Sequence, residues 1–301
     1  MLRVLITGAA GLVGTRLVAC ARDDGFAVSA LDLRAEPPAR GDVRSAEDVA
    51  RAVKGCAGIV HLAAVSRIVR AEQDPALCWS TNVEGTRNVV EAAAASPDRP
   101  WIVFASSREV YGELGRAPVS EDAPLAPVNV YGRSKVAGEA LVLGARATGL
   151  RTAVVRLSNV YGSAGDHVDR VVPAFVRAAL AGQPLRVEGA TNTFDFTHLD
   201  DAVAGLRAIM RALERGETLP PLHLLTGRST SLGELAALVL ELTGSRSPLT
   251  EAPSRTFDVS TFHGDPTRAA DVLGWRAAVP LRDGVARLVA DLRAAQNVTR
   301  V

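Results

Sequence analysis

The chain has 301 residues, 48% of them hydrophobic and 22% charged, with 34 basic side chains against 33 acidic ones and a formal net charge of +1. That is enough apolar sequence for a large core and for two structural units. The even balance, with no long block of either sign, argues against a nucleic-acid partner or an anionic-membrane surface.

The apolar start spans only about five residues, too short for a signal-peptide core. No run of about 18 apolar residues suggests a transmembrane helix, so a cytoplasmic protein is expected. Cys20, Cys56 and Cys78 are far apart, odd in number and without metal-ligand spacing. They read as reduced thiols in the core, and no metal is expected.

Short apolar runs at 3–6, 27–32, 58–62, 101–105 and 152–157 read as strands. Between them lie helical patterns near 12–22, 45–54, 76–95 and 130–147. Alternation of this kind predicts an α/β fold, a Rossmann-type doubly wound parallel sheet. The continuous apolar run Trp101-Ile-Val-Phe-Ala105 fits a sheet covered on both faces. After about residue 158, glycine and proline break the pattern, and helices are expected near 169–181, 199–214, 231–243 and 281–296. This part reads as a smaller α/β substrate-binding domain over the carboxyl edge of the sheet. The expected division is a dinucleotide domain over 1–157, with a returning segment near 190–226. The substrate-binding domain then takes 158–189 and 227–301.

The first strand runs into Gly8-Ala-Ala10-Gly11-Leu12-Val13-Gly14, and Asp32 follows Gly14 by 18 residues at the end of the second strand. A dinucleotide needs this order of parts. Small residues let the chain turn out of the strand, approach a pyrophosphate and pack the next helix, whose N-terminal amides face the phosphates. Asp32 can accept both hydroxyls of the adenosine ribose and repels a 2′-phosphate, which favours NAD over NADP. Leu33 and Arg34 sit beside it, and Arg34 leaves the alternative of a 2′-phosphate open.

Tyr131-Gly-Arg-Ser-Lys135 places a phenol and an ammonium four residues apart, on one face of a helix. A nearby ammonium lowers a phenol's pKa, which suits a general acid/base. Ser106-Ser107-Arg108-Glu109 follows the fourth strand directly, so the Ser107 hydroxyl lies at the carboxyl edge, within reach of a substrate oxygen.

Together these segments resemble the NAD-dependent epimerase/dehydratase family of extended short-chain dehydrogenases/reductases, the group that contains UDP-galactose 4-epimerase. The resemblance continues through Gly41-Asp42-Val43-Arg44, His61-Leu62-Ala63-Ala64, Asn82-Val-Glu-Gly-Thr86 and Val110-Tyr-Gly112. It ends with Arg156-Leu157-Ser-Asn159-Val-Tyr-Gly162, the segment 194–201 and Ala270-Asp-Val-Leu-Gly-Trp275. It implies NAD as cofactor, with Asp42 and Val43 at the adenine and Leu62, Ala63 and Ala64 along the pyrophosphate and nicotinamide ribose. Ala105, Ser106 and Leu157 are also implied at the cofactor, and Asn82 as a support from its helix or simply a helix cap. Ser107, Tyr131 and Lys135 take the catalytic positions. Ser66, Ser107, Arg108, Tyr131, Asn159, Val172, Phe194 and Arg255 are implied on the substrate side. His61 reads as a packed strand residue. The resemblance also implies a homodimer built on the helices near 76–95 and 130–147.

Two departures stand out. Sugar dehydratases of the family carry an Asp-Glu pair after the catalytic residue, where this chain has Arg108-Glu109; that argues against 4,6-dehydration. Many members place a diphosphate-gripping arginine where this chain has Phe194, which throws the expected diphosphate contact onto Arg255 or removes the diphosphate from the substrate. The leading expectation is an NAD-dependent epimerase acting on a nucleotide-linked sugar through transient oxidation. A sugar dehydrogenase or ketosugar reductase is the first alternative, and a non-catalytic dinucleotide sensor the second.

Overall fold

The computed structural model describes residues 1–115 and 117–299, without the side chains of 296–299; residues 116, 300 and 301 of the expected domains lie outside the described residues. The apolar runs of the first half form β1 (Arg3–Thr7), β2 (Ala27–Leu31), β3 (Gly58–His61), β4 (Trp101–Ser107) and β5 (Thr152–Leu157). Between them lie α1 (Leu12–Asp23), α2 (Ala46–Val53), α3 (Ile68–Gln73), α4 (Pro75–Trp79), α5 (Gly85–Ala95) and α6 (Val130–Gly144). The sheet order is β2-β1-β3-β4-β5, closed at its far edge by a short strand at Leu222–Leu224, and every pairing is parallel. The order reverses between β1 and β3, so the crevice where such sheets bind ligands lies above those two strands.

After β5 the chain builds β6 (Asn159–Tyr161), α7 (Val171–Leu180), β7 (Leu185–Glu188), β8 (Thr193–His198) and α8 (Leu199–Glu214). The edge strand at Leu222–Leu224 is β9, and β10 (Ser229–Ser231), α9 (Leu232–Thr243), β11 (Leu249–Ala252), α10 (Thr267–Leu273) and α11 (Leu281–Thr299) follow. One small sheet has the order β10-β8-β6 and a second pairs β11 with β7. Their core is separate from that of the main sheet: Tyr161, Phe175, Phe196, Leu235 and Leu288 pack together there. By contrast, α8, β9 and the α10 segment fold back onto the main sheet, with Leu206, Ile209, Leu222 and Trp275 in one cluster with Val4, Leu17 and Val155.

The expected single helix over 76–95 is instead three pieces. Asp74 caps α4 by accepting from Leu77 N at 3.0 Å, with Pro75 at the first helical position. A π-helical turn, Ser80–Glu84, then precedes α5. Such turns insert one residue into a helix and cluster at functional sites; this one turns Asn82 inward. The three cysteines are free and buried. No helix among the described residues is long and apolar enough to cross a membrane.

Two histidines are sealed in the main sheet. On β3, His61 Nδ1 pairs with Thr7 Oγ1 at 2.7 Å and Nε2 with Thr86 Oγ1 at 3.0 Å. Burial, aided by the Lys135 charge, pulls its pKa down to about 3, and burial pulls His223 on β9 to about 4. Both folded values lie below the unfolded one, so the unfolded chain binds the extra protons and stability falls as pH drops below about 6.5. Each ring should remove on the order of 1.5 kcal/mol between pH 6.5 and 5. Urea unfolding across that range should show the loss, and His223→Gln should flatten the profile; an unchanged slope would mean that the ring is not the source.

Candidate active site

The turn after β1 is steric in origin. Gly8 has φ of +68°, and a Cβ on Gly14 would lie 2.1 Å from Gly8 O, so α1 can start this close to the strand only on a bare backbone. Asp32 follows β2 directly and is 8% exposed. One carboxylate oxygen accepts from Ala10 N at 2.9 Å and the other from Arg34 N at 2.8 Å. The acid is thereby fixed over the glycine turn, with a lone pair on each oxygen still free for ribose hydroxyls. The Arg34 guanidinium donates to Ala10 O at 3.0 Å, across the same mouth. Leu33 is exposed. Asp42 Oδ2 accepts from Arg44 Nε at 2.8 Å and Nη2 at 2.6 Å, which keeps its carboxyl below the usual range. The first and third strand ends approach so closely that a Cβ on Gly8 would lie 2.7 Å from Ala63 N. The tight glycine turn at the start of α1 and the acid held above it are the parts that a dinucleotide's pyrophosphate and ribose fit.

Asn82 is not a helix cap. From the π turn its amide accepts from Val65 N at 2.7 Å and donates to Val65 O at 3.1 Å and Ser134 Oγ at 2.9 Å. Its polar atoms are thus spent on fixing the loop after β3, and Asn82 shapes the crevice wall rather than offering a free group to a ligand.

The start of α6 is pinned from three sides. Asn129 caps it by accepting from Gly132 N at 2.7 Å and donates to Glu109 Oε2 at 2.8 Å, while Glu72 on α3 accepts from Val130 N at 2.7 Å. A Cβ on Gly132 would lie 2.5 Å from Glu109 O, so the helix is pressed against the turn after β4. Tyr131 thus stands in the first turn of α6, pressed against the turn that follows Ser107. Burial raises its pKa to about 12, opposed by the Ser107 hydroxyl and the charge of Arg170. Lys135 is 3% exposed and donates to Ala105 O at 2.8 Å; burial lowers its pKa to about 8. Its Nζ lies 5.7 Å from the centre of the Tyr131 ring. The lysine thus spends one of its three donors on the backbone of β4 while its charge stands beside the Tyr131 ring.

Below this group, Arg156 on β5 and Glu139 on α6 form a buried two-point pair at 2.9 and 2.7 Å, and Ser106 donates to the same carboxylate at 2.5 Å. Arg156 also reaches the Tyr111 hydroxyl at 2.7 Å.

On the other side of the cleft, Arg108 pairs with Glu109 at 2.7 Å and lies 4.5 Å over the Phe194 ring, with Nη1 buried and without a partner. Asn159 opens β6 and pairs with Phe196, and Val172 is buried in the first turn of α7. Leu157 ends β5 at the same carboxyl edge, beside Ser107. Ser66 touches the Arg170 guanidinium at 3.4 Å. Arg255 is bound at 2.8 Å by Asp258 and 3.3 Å by Glu188. Its charge is already matched by two carboxylates, which runs against the expectation that it grips a diphosphate. Arg170 was not among the sequence candidates. The legible signal was a cation directly before an apolar helix, where the helix dipole disfavours it. Among the described residues no cluster could hold a metal.

A model of the NAD dependent epimerase/dehydratase family matches residues 4–221. The chain belongs to this family. It is 32% identical to a UDP-glucose 4-epimerase of Mycolicibacterium smegmatis over 96% of this chain and 97% of that one. It is 31% identical to a dTDP-glucose 4,6-dehydratase of Streptomyces griseus, over 95% and 93%. Among solved structures it is similar to MoeE5 in complex with UDP-glucose and NAD, with a TM-score of 0.90, 32% identity and coverage of 98% and 99%. The UDP-glucose 4-epimerase of Thermus thermophilus with NAD gives a TM-score of 0.87 at 27% identity, covering 98% of this chain and all of that one.

The Arg156–Glu139 pair carries the site as well as the core. Glu139→Ala should leave Arg156 uncompensated and cost about 3–5 kcal/mol of stability. Urea denaturation should register it, and a loss below about 1 kcal/mol would show the pair to be solvated.

Proposed function

We propose that the chain is an NAD-dependent epimerase of a nucleotide-linked sugar. The observation that carries this reading is the packing of the first turn of α6, which bears Tyr131, on the turn that follows Ser107 at the carboxyl edge, in the same sheet as the glycine turn and Asp32. In it, Gly8 to Gly14 receive the pyrophosphate, Asp32 the adenosine ribose, and Asp42 and Val43 the adenine. Ala63, Ala64, Ala105, Ser106 and Leu157 border the nicotinamide end. Lys135 holds a ribose hydroxyl. NAD supplies a hydride acceptor that becomes the donor on the return step.

Ser107 donates a hydrogen bond to the sugar hydroxyl that reacts, and Tyr131 Oη takes its proton as the carbon is oxidised. The keto-sugar turns over in the cleft between Phe194 and the α7 start. Tyr131 Oη then returns the proton to the same oxygen once the keto-sugar has presented its other face. Atoms and electrons balance, with the cofactor unchanged.

Of the two chemistries named among the relatives, epimerisation is favoured over dehydration by the Arg108–Glu109 pair. Arg108 cannot donate a proton at ordinary pH, and it occupies Glu109 at 2.7 Å. This reading includes a cytoplasmic homodimer through the α5 and α6 region, testable by light scattering.

Incubation with UDP-glucose should give its C4 epimer by NMR without net formation of NADH; net NADH would assign a dehydrogenase instead. Tyr131→Phe should lower kcat on the order of 100-fold or more while nucleotide binding persists. Turnover within a few-fold of the parent would remove Tyr131 from the acid/base role. Asp32→Ala should weaken NAD binding and narrow its preference over NADP, because both the ribose acceptor and the repulsion of a 2′-phosphate are lost. Titration calorimetry with both cofactors reads this, and unchanged NAD affinity would place Asp32 outside the site.

A further inference from the structure

Arg108 bridges the two parts of the chain. Its backbone opens the short turn Arg108–Val110 that leaves β4, in the main sheet. Its guanidinium carbon lies 4.5 Å from the centre of the Phe194 ring on β8, in the small sheet, and 5.7 Å from that of Phe262. The residue is 7% exposed. Nη2 pairs with Glu109 Oε1 at 2.7 Å, while Nη1 is buried and meets no acceptor among the described residues.

A charged N–H shut away from water without an acceptor is costly, and buried polar groups in folded proteins are met by a partner. Phenyl rings attract the cation but offer no oxygen to its N–H groups. The nearby acids are already taken. Glu109 Oε2 accepts from Asn129 Nδ2 at 2.8 Å, and Asp258, the next acid whose charge reaches Arg108, is held by Arg255 at 2.8 Å. The acceptor for Nη1 therefore comes from outside the chain, and the space between the two sheets is where a substrate enters.

The place of Arg108 says which part of the substrate it meets. It follows Ser107 directly, so the two Cα atoms stand about 3.8 Å apart. In the proposed reaction Ser107 meets the reacting sugar oxygen, on C4. Across a pyranose ring from C4 lies C1, which carries the nucleotide diphosphate. Of the two neighbours of C4, C3 bears only a hydroxyl, and C5 bears the C6 branch, which is the one that can carry a charge.

We propose that Arg108 Nη1 receives a carboxylate at C6, and that the substrate is a nucleotide-linked uronic acid rather than a neutral hexose. This rests on the reading of Ser107 and Tyr131 as the groups at the reacting oxygen. A hydroxymethyl group also accepts a hydrogen bond, but a carboxylate accepts a stronger, charge-assisted one. Glu109 fixes the guanidinium from its other terminal nitrogen, so little ordering remains to be done when the ligand arrives. Arg108 sets specificity and takes no part in proton or hydride transfer.

Calorimetry on NAD-loaded protein carrying Tyr131→Phe reads binding without turnover. UDP-glucuronic acid should bind about tenfold or more tightly than UDP-glucose, the difference between a charge-assisted bond and a neutral one. In the parent, kcat/KM for C4 epimerisation, followed by NMR, should favour the uronic acid by a similar factor. Adding Arg108→Gln should weaken binding of the uronic acid about tenfold and that of UDP-glucose by less than about threefold, with circular dichroism confirming the fold. The comparison of the two sugars with Arg108 in place stands whether or not that variant folds. Equal affinity for the two sugars would overturn the proposal, as would no binding of the uronic acid or a preference that survives Arg108→Gln. Epimerisation of neither sugar by the parent would instead overturn the epimerase reading, and that outcome is separate because the binding comparison needs no turnover.

Discussion

One buried ion pair joins the strand that bears Ser107, the helix that bears Tyr131 and Lys135, and the strand between them and the edge. Arg156 leaves β5, Glu139 leaves α6, and Ser106 on β4 shares the same carboxylate. Two charges taken out of water need good geometry and further hydrogen bonds to break even, and here the Tyr111 hydroxyl and Glu121 O supply them. The helix that bears Tyr131 and Lys135 is thereby fixed against the strand that bears Ser107. Catalytic groups from two elements need this kind of support, since a shift of an ångström between them is enough to spoil proton transfer.

The upper end of α6 depends on a different set of contacts, all from loops. Asn129, Glu72 and the Glu109 backbone surround its first turn, and Asn82 braces the loop after β3 against Ser134. Polar side chains do this work because each loop has backbone groups to satisfy that no strand or helix can reach. The first turn of α6 is held by contacts that hydrophobic periodicity does not report.

The main sheet was legible because its strands are local and continuous. β5 falls where the pattern put it, and β1 to β4 differ from the reading by one or two residues at an end. The edge strand β9 and the helix α10 escaped notice. Three residues of Leu-His-Leu carry no period, and their pairing partners stand more than sixty positions away. The glycine turn, Asp32, Ser107 and Tyr131 were readable because each motif lies within one turn of one element. Arg170, the Asp258 and Glu188 clasp on Arg255, and the Arg108 stack on Phe194 were not. Each depends on two distant segments meeting, and the sequence alone holds no record of their separation in space.

That last contact ties two positions together. Arg108 comes from the turn after β4 and Phe194 from β8, and the guanidinium carbon lies 4.5 Å from the ring centre while Glu109 balances its charge. An arginine at 194 would meet Arg108 head-on, two cations over one carboxylate. Within lineages of this chain, 108 and 194 should covary, and a charge gained at one should be tolerated only where the other has lost its own.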